Sequence, residues 1–515
     1  MTAVQGSGED EMGVRTGGGM WRNLLRAGVG LSLMLGAVPA NAETPWPSVI
    51  GVAGKPNLIM GAADLPAFGY RMDEFFLSGT ATSYQLPGAV TPDGQWDATP
   101  AGSAPYATRV VVVRPEDPAK FNGTVLVEWL NVTGGQDTPA DWMVAHREIL
   151  RRGYAYVALS AQKVGIEGGD AVMGAARGVK KVNPERYGTL SHPGDAFAYD
   201  IFSQGGAALK APGASGLLGP LAPARVLAIG ESQSASFLTT YLNAVDRLAR
   251  VYDGFFVHSR WGSSSALDGA HTRNPQSPMP QHVRFRKDLR VPVLTMITET
   301  DLVGAGISGY HASRRPEDKL LRVWEVAGSA HADNYMFMGA FIDSGVADHA
   351  TLAPIFVPTT RSIAGKLDKP SNPGMTHHYV AQAAITALDG WVRTGKAPAK
   401  TQPLALASGG KEGVEASFAL DANGIAKGGV RTPWVDVPAI RISGVGNSGS
   451  FVAKLTGVGE RFDKATLARL YPGGKADYLK RFEQSLDKAI GAGHVLREDR
   501  EEILAIAAIN FDTAP

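Results

Sequence analysis

Apolar positions along this chain follow two rhythms. Short unbroken runs of β-branched and aliphatic residues read as strands buried on both faces, and between them apolar side chains recur every three or four positions, as on helices. Strands are predicted over 74–84 and 106–114, joined by a loop carrying Pro87, Gly88, Pro92, Asp93 and Gly94, then over 124–130, 154–160, 226–229, 252–258, 291–301 and 320–327. Helices are predicted over 139–151, 195–209 and through Phe237, Leu238, Tyr241, Leu242 and Val245. This alternation indicates an α/β fold, a mostly parallel, doubly wound sheet with helices on both faces. The stretches 162–193 and 262–290 read as insertions on the carboxyl rim, where long loops shape pockets. A helix is predicted over 383–391, with Pro398 beyond it, and further helices over 464–470, 478–489 and 499–509. No polar linker sets this last part apart, so residues 399–515 are expected to pack as an appendage on a core spanning 43–398.

One strand-to-helix junction carries chemistry. Val226 to Ile229 stops at Gly230-Glu231-Ser232-Gln233-Ser234, and a helical pattern begins at once. A serine on such a sharp turn exposes its hydroxyl, provided that the residues two positions to either side are small. Two other small-x-Ser-x-small stretches, at 262–266 and 446–450, lack a clear following helix. Ser232 alone also fits a plain helix cap; its partners decide.

A serine hydroxyl needs an imidazole to take its proton and a carboxylate to orient that imidazole. The run 291–301 ends in Glu299 and Asp301, and the run from Leu320 ends in a Gly-Ser-Ala turn and His331. Ser, acid, His is the order found in α/β-hydrolases, whose parallel strands converge at one rim. Read as strand residues two apart, Glu299 and Asp301 share a face and stay alternatives for the acid; Asp301 is favoured because it lies in the turn, with Glu299 as its supporting partner. A backbone oxyanion hole must accompany them. Gln233 N–H is the expected first donor, and Leu130 or Asn131, where the strand runs into a loop with Gly134 and Gly135, the second. Those glycines also fit a simple turn.

Composition narrows the class. The chain of 515 residues has no cysteine, which excludes disulfides, thiolate catalysis and cysteine-ligated metal. With 50 basic and 49 acidic residues and no basic run, nothing points to nucleic acid. His377-His378 and His331-Ala-Asp333 lack the helical spacing of a metalloprotease, so neither a metal nor a cofactor is expected. From Met20 a charged segment, an apolar stretch over 27–38 and Ala40-Asn41-Ala42 read as a signal peptide cleaved near Ala42. That implies a periplasmic or secreted protein with residues 1–42 removed. No later apolar segment is long enough to span a membrane.

In the stretches 74–81, 127–135, 160–165, 186–195, 230–234, 299–301, 325–333 and 428–438, the sequence resembles the exported bacterial proteins called α/β-hydrolase domain-containing, a branch of the serine esterases. The resemblance covers nearly the whole chain beyond residue 42. It implies the α/β-hydrolase fold and a serine mechanism on Ser232, His331 and an acid at 299 or 301. The expected activity is hydrolysis of a small carboxylic ester; an amidase or acyltransferase with the same three residues, or a binding protein on this fold, are the alternatives. Gln162 is a candidate for the substrate pocket, or else ties down the loop after it. Arg431, Trp434 and Asp436 fit either a clamp for a substrate carboxylate or a structural fastening.

Overall fold

The computed structural model describes residues 46–169, 174–211, 216–270, 278–363, 365–408 and 417–512; the export segment expected over 1–42 lies outside them. Nine strands form the main sheet: β1 (Ser48–Val52), β2 (Tyr70–Gln85), β3 (Thr99–Pro115), β4 (Thr124–Trp129), β5 (Ala155–Leu159), β6 (Arg225–Glu231), β7 (Gly254–His258), β8 (Val293–Ile297) and β9 (Leu321–Glu325). Their order is β1-β2-β3-β5-β4-β6-β7-β8-β9. Pairing is antiparallel from β1 to β5 and parallel from β5 through β9.

Alternation of side chains across β4 to β7 divides the core in two. Val125, Val127, Val157, Ala228 and Val257 face the helices Ala198–Lys210 and Gln233–Thr240, which contribute Ile201, Phe202, Phe237 and Leu238. Leu126, Tyr156, Leu227, Ile229 and Phe256 face the helices Ala140–Arg151 and Met375–Thr394, with Trp142, Ile149, Val380 and Leu388. This is the doubly wound α/β arrangement, and it brings the carboxyl ends of β4, β6, β7, β8 and β9 to one rim.

Two elements depart from the sequence pattern in ways that matter. β8 ends at Ile297, and Glu299 and Asp301 lie on a short helix, Glu299–Val303, capped by Thr298. The helix Met375–Thr394 begins eight residues before the predicted start, because Thr376, His377 and His378 in its first turns are polar yet fully buried. Residues beyond 399 share a third apolar cluster with earlier ones: Trp434, Ile442, Phe482 and Ile506 pack with Trp261, Ile297, Leu302 and Tyr335. Among the described residues no helix is long and apolar enough to cross a membrane.

Candidate active site

Ser232 sits at the turn between β6 and the helix Gln233–Thr240 with φ 60° and ψ −113°, a backbone conformation that a residue with a side chain rarely adopts. Its N–H donates to the carbonyl of His258 at the end of β7, at 2.9 Å. The turn closes only with small neighbours. A Cβ on Gly230 would lie 2.9 Å from Leu238 Cδ1 and 3.0 Å from the Ser234 Cβ. The Ser232 side chain stays partly exposed while its neighbours are buried.

His331, in the loop after β9, places Nε2 2.8 Å from Ser232 Oγ, and its Nδ1 lies 2.5 Å from Asp301 Oδ1. The other Asp301 oxygen accepts from the Thr298 N–H at 2.8 Å and hydroxyl at 2.7 Å. Burial alone would raise the Asp301 pKa, but the facing His331 and these hydrogen bonds outweigh it and hold the carboxyl below its ordinary value. An ionised Asp301 requires the proton on Nδ1, which leaves Nε2 to accept from Ser232 Oγ–H. The indole of Trp261 stacks on the His331 ring, with centroids 4.7 Å apart and planes 28° apart.

The helix separates the two acids that strand alternation could not. Residues two apart on a helix point about 200° from each other. Glu299 therefore faces away from the imidazole and accepts Gly328 N–H at 2.6 Å, Gly444 N–H at 2.8 Å and Ser443 Oγ–H at 2.9 Å. It joins the His331 loop to the C-terminal part of the chain.

Other expected site residues sit differently. The Leu130 N–H donates to the Leu159 carbonyl at 3.4 Å and the Asn131 N–H to the Thr138 carbonyl at 3.0 Å, so neither is left for an oxyanion, contrary to expectation. The next N–H in that loop, of Val132, donates to Gln233 Oε1 at 3.0 Å. Gln233 N–H, at the first position of its helix, has no acceptor among the described residues. Gln162 is also turned from a pocket role: Oε1 accepts from Trp129 Nε1 at 3.1 Å and Nε2 donates to Asp195 at 3.3 Å, tying down the loop. Arg431 donates to Asp436 at 2.5 Å and to the Ala426 carbonyl at 2.7 Å, which is a fastening within the C-terminal part.

Sequence reasoning passed over Glu231. Its Oε1 lies 3.4 Å from His331 Nε2, and its Oε2 lies 3.4 Å from Asn131 Nδ2. Burial, reinforced by the neighbouring carboxyl groups of Asp141, Asp301 and Glu128, pushes its pKa well above the usual carboxyl range. A charged residue inside a strand otherwise buried was the available signal. Trp261, beyond the end of β7, gave none.

The arrangement is a hydroxyl hydrogen-bonded to an imidazole that a carboxylate orients, at a strand-to-helix elbow. A sequence profile described as alpha/beta hydrolase domain matches residues 38–505. The chain belongs to this α/β-hydrolase family. No curated protein sequence matches it. Among solved structures, esterase Est22 is similar at 13% identity, over 56% of this chain and 80% of that one, with a TM-score of 0.29. A thermostable esterase from Pseudomonas putida matches at 13% identity over 46% of this chain and 66% of its own, TM-score 0.26. Acetyl xylan esterase 1 from Thermoanaerobacterium matches at 9% identity over 50% and 74%, TM-score 0.25. The assignment rests on the family match and on the sheet order.

Proposed function

We propose that this α/β-hydrolase is an exported serine hydrolase that cleaves a small carboxylic ester through an acyl-enzyme on Ser232. The observation that carries the reading is the continuous chain from Ser232 Oγ through His331 to Asp301, at 2.8 and 2.5 Å. His331 Nε2 takes the hydroxyl proton as Oγ attacks the ester carbonyl, and Asp301 stabilises the resulting imidazolium. Gln233 N–H donates to the oxyanion. The second donor is Val132 N–H, since its acceptor is a side chain that can swing aside, whereas its two neighbours donate to backbone. The imidazolium protonates the leaving alkoxide, and water then enters by the reverse of these steps.

Purified protein is expected to turn over a short-chain p-nitrophenyl ester and to label with a fluorophosphonate. Ser232→Ala should abolish labelling and lower turnover on the order of 10⁴-fold or more. Undiminished turnover in that variant would sink the reading. Acyl transfer to an added alcohol in preference to water would make it an acyltransferase. Fractionation of cells making the full chain tests export, with the protein expected outside the cytoplasm and shortened near Ala42.

A further inference from the structure

Behind the site, four buried side chains form one hydrogen-bonded chain that the reaction above does not use. Asp141 Oδ1 lies 2.8 Å from His258 Nδ1, His258 Nε2 lies 2.8 Å from His377 Nε2, and His377 Nδ1 lies 2.9 Å from Asp333 Oδ2. None is more than 1% exposed. Each belongs to a different part of the rim. Asp141 opens the helix after the loop of Asn131 and Val132, His258 ends β7, His377 is in the first turn of Met375–Thr394, and Asp333 follows His331 by two residues. The carbonyl of His258 is also the acceptor for Ser232 N–H.

Two imidazole nitrogens 2.8 Å apart must share one proton, so one donates and the other accepts. A neutral imidazole carries a single N–H, and the choice at one end then sets every bond along the chain. In one direction, protonated Asp141 donates to His258 Nδ1, His258 Nε2–H donates to His377 Nε2, and His377 Nδ1–H donates to ionised Asp333. In the other direction every bond is reversed and the charge sits on Asp141.

The surroundings choose between them. Asp333 Oδ1 accepts a second donor, Met336 N–H at 3.0 Å, as suits a carboxylate. Asp141 Oδ2 has no hydrogen-bond partner among the described residues. The neighbours of Asp141 are acidic: its N–H donates to Glu128 Oε1 at 2.9 Å, and Glu231 lies near enough to feel its charge. A charge on Asp141 would face two more carboxyl groups. Burial also pushes the Asp141 pKa up to about 8, with His377 offsetting only part of that. Moving only the first proton would make an imidazolium of His258, which burial and the adjacent His377 disfavour.

We infer that Asp141, His258, His377 and Asp333 form a one-directional hydrogen-bond chain, running from Asp141 to Asp333, whose members are positioning residues for Ser232 and His331. The inference rests on the serine hydrolase reading for its functional half. The chain ties the oxyanion loop, the nucleophile turn and the His331 loop to one another, and its direction keeps negative charge away from Glu231.

The test combines ¹⁵N–¹H spectra of the full chain labelled at histidine nitrogens with ester kinetics. In the unmodified protein His258 is expected to carry its proton at Nε2 and His377 at Nδ1. Asp141→Asn preserves this pattern, because an amide N–H replaces the carboxyl O–H as donor. Asp333→Asn inverts it: the amide oxygen stays with Met336 N–H and the amino group meets His377 Nδ1. The inversion is expected to lower kcat roughly 10- to 100-fold with KM little changed, as for a small misplacement of reacting groups, and at least tenfold more than Asp141→Asn does. A His258 protonated at Nδ1 in the unmodified protein overturns the direction, and that measurement needs no variant. An inverted pattern with kcat intact and only a lowered melting temperature overturns the positioning role. Absence of turnover and of Ser232 labelling in the unmodified protein removes the hydrolase reading instead, and the spectra still report the chain.

Discussion

Glu231 Oε1 lies 3.4 Å from His331 Nε2, the nitrogen that also meets Ser232 Oγ at 2.8 Å. Two carboxyl groups therefore flank one imidazole, Asp301 at Nδ1 and Glu231 at Nε2, and their environments drive them apart. The facing His331 and hydrogen bonds hold the Asp301 pKa below its ordinary value, whereas burial, with neighbouring acids, pushes that of Glu231 well above its own. The difference matters for the base. An ionised Glu231 would stabilise a proton on Nε2 and hold His331 in the form that cannot accept from serine.

Glu231→Gln tests this directly, because glutamine has the shape of the acid and no charge. The expected loss in kcat is less than about tenfold, well short of the roughly 10²- to 10⁴-fold that a true acid or base contributes. A loss of about 10³-fold or more in a variant that melts normally would show that the charge is required.

Ser232 holds φ at 60° with ψ at −113°, so its turn stores backbone strain. Such residues cost on the order of 1–3 kcal/mol, and glycine avoids most of that while losing about 0.5–1 kcal/mol to chain entropy. Ser232→Gly is thus expected to be more stable than Ser232→Ala by about 1 kcal/mol, with both inactive. Denaturant unfolding of the pair decides it. A glycine variant less stable than the alanine one would mean that the turn is relaxed.

The acid assignment separates function from fastening. Asp301→Asn removes the charge that fixes the His331 tautomer and is expected to lower turnover on the order of 10⁴-fold with little change in melting temperature. Glu299→Gln sets an amino group against one of three donors, from Gly328, Gly444 and Ser443. It should cost about 1–3 kcal/mol of stability and far less turnover. Measuring both quantities on both variants checks the assignment, and the opposite pattern reverses it.

The sheet was legible because buried parallel strands have an unmistakable composition, and the elbow because small residues must flank Ser232 on so tight a turn. β1 was not: Ser48–Val52 is a largely exposed edge strand whose Val49-Ile50 pair is cut short by Gly51. The separation of Glu299 from Asp301 was hidden for another reason. Apolar periodicity cannot tell where β8 stops, and Thr298 ends it by capping a helix through Asp301 N–H. The second oxyanion donor was hidden similarly, since whether Leu130 or Asn131 N–H remains open depends on pairing with Leu159 and Thr138, outside the strand's own pattern. His258, His377 and Asp141 gave no sign of meeting, because they lie on three separate elements.

Asp141 makes the stability of the fold depend on pH. Its pKa rises from an ordinary 3.8 to about 8 on folding, chiefly through burial. Between those values the native state keeps a proton that the unfolded chain has released, so this group's contribution is complete below the lower value and declines as pH rises to the upper one. The buried His146, His258 and His378, whose pKa values are lowered, act oppositely but only below the ordinary histidine range. Above about pH 7 the histidine effect has ended, and Glu128 and Glu231, whose pKa values burial also raises well above the ordinary carboxyl value, act in the same direction as Asp141. Asparagine at 141 carries the equivalent N–H at every pH. The stability of Asp141→Asn minus that of the unmodified protein is therefore expected to climb with pH up to about 8 and then level off, by no more than about 1.4 kcal/mol per pH unit. Denaturant midpoints at several pH values between 5 and 9 give that difference, in which the histidine contributions largely cancel. A flat or falling difference would place the charge on Asp141 in the folded protein.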